Sequence, residues 1–125
     1  VARKTILYVE DNLTYQKMLR LRLTALGYHV ITAENGLEGY NLAKTVKPDL
    51  VLLDLNMPEM DGIQVCRLLK FDKRLQHIPI VILTCNNLEQ NVRAAIKAHV
   101  DAFVMKDTRS EVLVQTLKRL LPPNR

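Results

Sequence analysis

The chain has no tryptophan, two phenylalanines and four tyrosines, an aromatic share of 5%. That is too little ring surface for a platform that stacks nucleobases. Cysteine is also scarce. Cys66 and Cys85 stand far apart and form no zinc-type spacing. Nothing suggests a secreted disulfide framework, so both are expected to be free thiols, buried or half-buried, in a reducing cytoplasm. No apolar run approaches the roughly 20 residues of a bilayer-spanning helix. The opening VARKTILYVE has a short apolar run and no signal-peptide cleavage pattern. A cytoplasmic chain with no membrane association is therefore the expectation. Val1 stands where an initiator methionine would, as in a processed chain or a piece of a longer one. Acidic residues are the minority, 13 against 18 lysines and arginines, giving a net charge of +5. The excess favours anionic neighbours. Yet the cations are scattered from Lys17 to Arg119, as on a solvated basic surface. No direct nucleic-acid binding is expected.

What the chain does have suits one domain over 1–125, with its core at about 4–121: 125 residues, 48% hydrophobic and 25% charged. Apolar runs alternate with helical spacing. TILYVE (5–10) reads as a strand. Residues 13–26 read as a helix with Tyr15, Leu19, Leu23 and Leu26 on one stripe, stopped by Gly27. YHVITA (28–33) is a second strand. Asn35 caps the next helix, with Glu38 in capping-box spacing, and that helix ends near Val46, before Lys47-Pro48. DLVLLD (49–54) is a third strand whose unbroken apolar run suits cover on both faces. A helix over 61–71 follows, then the strand IPIVILT (78–84). A helix over 88–98 has Leu88, Val92, Ala95 and Ile96 inward. DAFVMK (101–106) and a helix over 109–121 close the pattern. Strand then helix, five times over, predicts a doubly wound parallel α/β sheet with helices on both faces.

In such a sheet the strands end on one edge, where ligands bind. Those ends are Glu10-Asp11, Asp54, Thr84 and Lys106. Taken singly, an aspartate there is most often a helix cap, a threonine a turn residue and a lysine solvated. Together, the carboxylates would repel one another unless a cation sat among them. Hard oxygen donors in this number suit Mg2+. A carboxylate beside a divalent cation, with a hydroxyl and an ammonium near, is arranged to attack a phosphoryl group.

Glu10-Asp11, LLDLNMPEMDG, IPIVILT and FVMK together resemble the receiver domain of two-component response regulators over about residues 4–121. The resemblance implies a flavodoxin-like (βα)5 fold with strand order 2-1-3-4-5. It implies that Asp54 is the phosphoacceptor, charged by a sensor histidine kinase or a phosphotransfer protein. It implies that Asp11 and Asp54 ligate Mg2+ directly, Asn56 through its backbone carbonyl and Glu10 through water. Thr84 and Lys106 would bind the phosphoryl group. Thr84 and Phe103 would be the switch pair. The surface from the fourth helix to the fifth would then change partners or form a homodimer. A signalling domain is implied rather than an enzyme, with self-phosphorylation from small donors and self-dephosphorylation.

Some residues depart from that pattern. Asp107 replaces the usual proline after the lysine and either caps the last helix, a role open also to Thr108, or weakens the hold on phosphate. His99 replaces a glycine, so a strained or re-routed turn is expected. Cys85 is read as a small filler beside Thr84, against a redox-sensitive thiol there. Phe103 replaces tyrosine. A pseudo-receiver is opposed by the intact Glu10, Asp11, Asp54, Thr84 and Lys106. A haloacid-dehalogenase-type phosphatase would need an early nucleophile with a second aspartate two residues on, where Asn56 stands.

Overall fold

Side chains alternate across a strand, so a strand covered on both faces must be apolar at every position. The third and fourth strands meet that condition. β3 (Leu50–Asp54) and β4 (Ile80–Thr84) are buried throughout. In the computed structural model, which describes residues 3–85, 89–106 and 110–122, they lie inside a five-stranded parallel sheet. β1 (Thr5–Val9) pairs with β3 on one side and with β2 (His29–Ala33) on the other, and β5 (Ala102–Met105) pairs with β4. The order is β2-β1-β3-β4-β5, as the resemblance implies.

The alternation divides the core in two. Leu7, Val9, Val51, Leu53, Ile80 and Ile82 face α2 (Gly36–Val46), α3 (Gly62–Phe71) and α4 (Glu89–Lys97). Ile6, Tyr8, Leu50, Leu52, Val81 and Leu83 face α1 (Leu13–Ala25) and α5 (Ser110–Leu120). Each fully buried leucine, isoleucine or valine contributes about 1.5–3 kcal/mol relative to exposure. Among the described residues no helix is long and apolar enough to cross a membrane.

Local chemistry fixes the ends of the helices. Asn35 caps α2 by accepting the Glu38 N–H at 2.8 Å, as its spacing predicts. Asp61 and Gln64 form a reciprocal capping box at the start of α3, both bonds 2.9 Å long. Gly62 is needed there because a Cβ would stand 2.5 Å from the Asp54 carbonyl oxygen. The chain turns sharply after Asp54 so that α3 can seat against the end of β3.

Some expected placements differ. Ile96 is 67% exposed, because Ala95 is the residue that faces the sheet. Leu26 lies past the end of α1 and is about half exposed. Leu68, one of the apolar residues that mark the 61–71 helix in the sequence, is also exposed. Leu88, Asp107 and Thr108 lie outside the described residues. His99 adopts φ +64° while its N–H closes the turn on the Ile96 carbonyl at 3.1 Å, so the turn is strained without being re-routed. An L-residue pays about 1–2 kcal/mol for this conformation, from which glycine is exempt. His99→Gly is therefore expected to stabilise the chain by about 1 kcal/mol. Urea unfolding checks this: the midpoint should rise with the slope unchanged.

Candidate functional site

Parallel strands deliver their last residues to one edge, and the polar side chains gather there. Glu10 follows β1 and is fully buried, while Asp11 beside it is exposed. Asp54 ends β3, 4% exposed, and Thr84 ends β4, fully buried. Lys106 follows β5. Glu10, Asp11 and Asp54 each bring a carboxylate oxygen within 4.8 Å of the others. That oxygen-only set fits Mg2+, which takes few carboxylates and keeps several waters.

Lys106 neutralises part of this charge. Its Nζ lies 2.7 Å from Glu10 Oε1 and 3.3 Å from Asp54 Oδ1. The Tyr15 ring packs beneath the same ammonium, 4.3 Å from its centroid. Burial works against the Lys106 charge, but the bonds to Glu10 and Asp54 outweigh it and hold Lys106 above the usual lysine range. Burial pushes the Asp54 carboxyl up to about 7, helped by the Glu10 charge and opposed by Lys106.

Thr84 Oγ1 accepts a hydrogen bond from Asn56 Nδ2 at 3.3 Å. Phe103 is half-buried, against the core beneath α3 and α4. The two thiols part company. Cys66 is buried and donates to the Ala98 carbonyl at 3.3 Å, and burial pushes it up to about 11. Cys85 is exposed beside Thr84, so it fills no core space.

Four residues of this site escape a reading of strand ends. Asn12 caps α1, accepting the Tyr15 N–H at 3.0 Å, while its own N–H donates to Glu10 Oε2 at 3.2 Å. Gln16 Nε2 donates to the backbone carbonyls of Glu10 and Ala33, 3.0 and 3.2 Å away. Tyr15 supports Lys106. Tyr8 donates its hydroxyl to Glu10 Oε1 at 3.0 Å. Two carry a sequence signal: Asn12 stands at the N-cap position before the first helix, and the Tyr8 phenol in a buried strand needs an acceptor, which Glu10, two residues on, offers on the same face.

A family model described as the response regulator receiver domain matches residues 6–118. The polar-differentiation response regulator DivK of Brucella anthropi is 33% identical over 118 residues, which covers 94% of this chain and 96% of that protein. Chemotaxis protein CheY4 of Vibrio cholerae, 27% identical, superposes with a TM-score of 0.90 over 96% of this chain and 100% of that one. The receiver domain of sensor histidine kinase PA1611 from Pseudomonas aeruginosa PAO1 has a TM-score of 0.89 at 27% identity, over 98% of this chain and 100% of that one. That structure has a magnesium ion coordinated in its active site cleft.

The raised Asp54 value has a sign. From its ordinary 3.8 up to about 7, the folded chain holds a proton that the unfolded chain has released. The stability so contributed is fully present below about pH 4 and lost as pH rises through about 7. Asp54→Asn is expected to remove this slope. In metal-free buffer its urea midpoint should gain on that of the wild type steadily from pH 4 to pH 7.5. Binding of Mg2+ should weaken below pH 7 and release a proton, which calorimetry in buffers of different ionisation enthalpy detects.

Proposed function

Because this chain belongs to the response regulator receiver domain family of two-component systems, we propose that Asp54 is its phosphoacceptor. The observation that carries this reading is the Lys106 ammonium held 3.3 Å from a buried Asp54 carboxylate, inside a cluster of three carboxylates. An Asp54 oxygen bonds to phosphorus as the P–N bond of a phosphohistidine breaks, and the imidazole keeps that electron pair. The donor is a sensor histidine kinase or a phosphotransfer protein. Asp11 and Asp54 would hold Mg2+ directly, Asn56 through its backbone carbonyl and Glu10 through water. When bound, the cation would supply charge neutralisation for the attacking oxygen and the phosphate.

Lys106 pairs with the phosphoryl oxygens as they arrive. The new charge, about −1.5 to −2, lands beside carboxylates. Thr84 meets it by donating its O–H, while Oγ1 accepts from Asn56 at 3.3 Å before the phosphoryl group arrives. Phe103 moves further inward behind Thr84, and the surface of α4, β5 and α5 changes with it. That surface binds a partner or output domain, or a second copy of the chain. The domain acts in the cytoplasm, binds no nucleic acid itself and is no enzyme in the ordinary sense. It takes phosphate from small donors and hydrolyses its own acyl phosphate slowly.

Incubation with Mg2+ and acetyl phosphate, read by intact mass, tests the acceptor. A Mg2+-dependent phosphoryl adduct is expected in the wild type and absent in Asp54→Asn. No adduct, together with no spectral response to beryllofluoride across the α4 to α5 surface, would establish a pseudo-receiver instead. Thr84→Ala is expected to keep the adduct and lose that spectral response.

A further inference from the structure

We propose that Tyr8 sets the metal preference of the acidic site, by holding Glu10 out of direct ligation. This rests on the receiver reading of that site. Tyr8 lies within β1 with no solvent exposure, and its hydroxyl donates to Glu10 Oε1 at 3.0 Å. The same oxygen takes Lys106 Nζ at 2.7 Å, and Oε2 takes the Asn12 N–H at 3.2 Å. Both oxygens of a fully buried carboxylate are thus turned toward donors of the chain itself.

The donors are not equivalent. Lys106 is the group that turns to an incoming phosphoryl group, so its hold on Oε1 is released when the site works. The Asn12 N–H engages the other oxygen. Tyr8 alone keeps Oε1 throughout. It has no alternative, because a phenol sealed from water that loses its acceptor is left unsatisfied. Glu10 therefore reaches a cation through water, and two aspartates remain as direct carboxylate ligands.

That division selects among cations. Mg2+ is small, accepts one or two carboxylates and gives up its waters reluctantly, whereas Ca2+ takes six to eight oxygens and gains from each further carboxylate. Removing the phenol oxygen frees Oε1 to become a third direct carboxylate. The site should then drift from Mg2+ toward Ca2+.

Calorimetric titration of the full chain with Mg2+ and with Ca2+ tests this. In Tyr8→Phe, the ratio of Ca2+ to Mg2+ affinity is expected to rise about tenfold over the wild type, about 1.4 kcal/mol. Tyr8→Leu, which also lacks the hydroxyl, should show a shift of the same sign. In a Glu10→Gln background, Tyr8→Phe should shift nothing further. A ratio within twofold of the wild type, in either folded variant that still binds Mg2+, overturns the proposal. So does an equal shift in the Glu10→Gln background, because the phenol would then act through packing. A wild-type chain that binds neither cation overturns the receiver reading of the site itself.

Discussion

Among the described residues, one ammonium holds the site together. Lys106 stands between Glu10 and Asp54, which a parallel sheet brings to one edge whether or not anything is there to neutralise them. Carboxylates so close repel, and the two that are buried have little water to screen them. The lysine offsets part of that cost, and Tyr15 keeps its cation from drifting to solvent. An acidic cluster must tolerate its own charge, and this one does so with a counterion tethered to the far strand β5, reaching past β4.

The fold was legible because its signals are redundant. Most strands are apolar runs, and most breaks among the described residues carry a cap, a glycine or a proline; the break after α4 falls on His99 instead. Asn35 and Gly27 act as their chemistry predicts, whereas Glu38 closes no box on the cap and takes the Glu34 N–H instead. Ile96 misled because spacing alone cannot choose between adjacent positions on a short helix. The smaller Ala95 allows α4 to lie close to the sheet, and that is settled by packing.

The site was legible in outline for a different reason. Glu10, Asp11, Asp54, Thr84 and Lys106 sit at strand ends, and topology converts that placement into proximity. Their supports are less visible. Tyr15 and Gln16 reach the site from the first turn of α1, and their partners lie across the fold. Cys85 looked like filler because the family resemblance calls for a small residue after Thr84. The chain has already left the core at that point, and the thiol faces water.

The seat of α3 on β3 has a mechanical consequence. With no side chain on Gly62, the first turn of the helix lies hard against the Asp54 carbonyl, and the Gly62 N–H is tied to the Leu55 carbonyl at 3.0 Å. The main chain behind Asp54 is an anvil: a push on the carboxylate meets packed backbone and cannot be absorbed by recoil. Toward Thr84 the link is polar instead: its hydroxyl accepts a 3.3 Å bond from an exposed Asn56. The end of β3 is thereby backed by rigid main chain on one side and joined to the end of β4 by a polar link on the other.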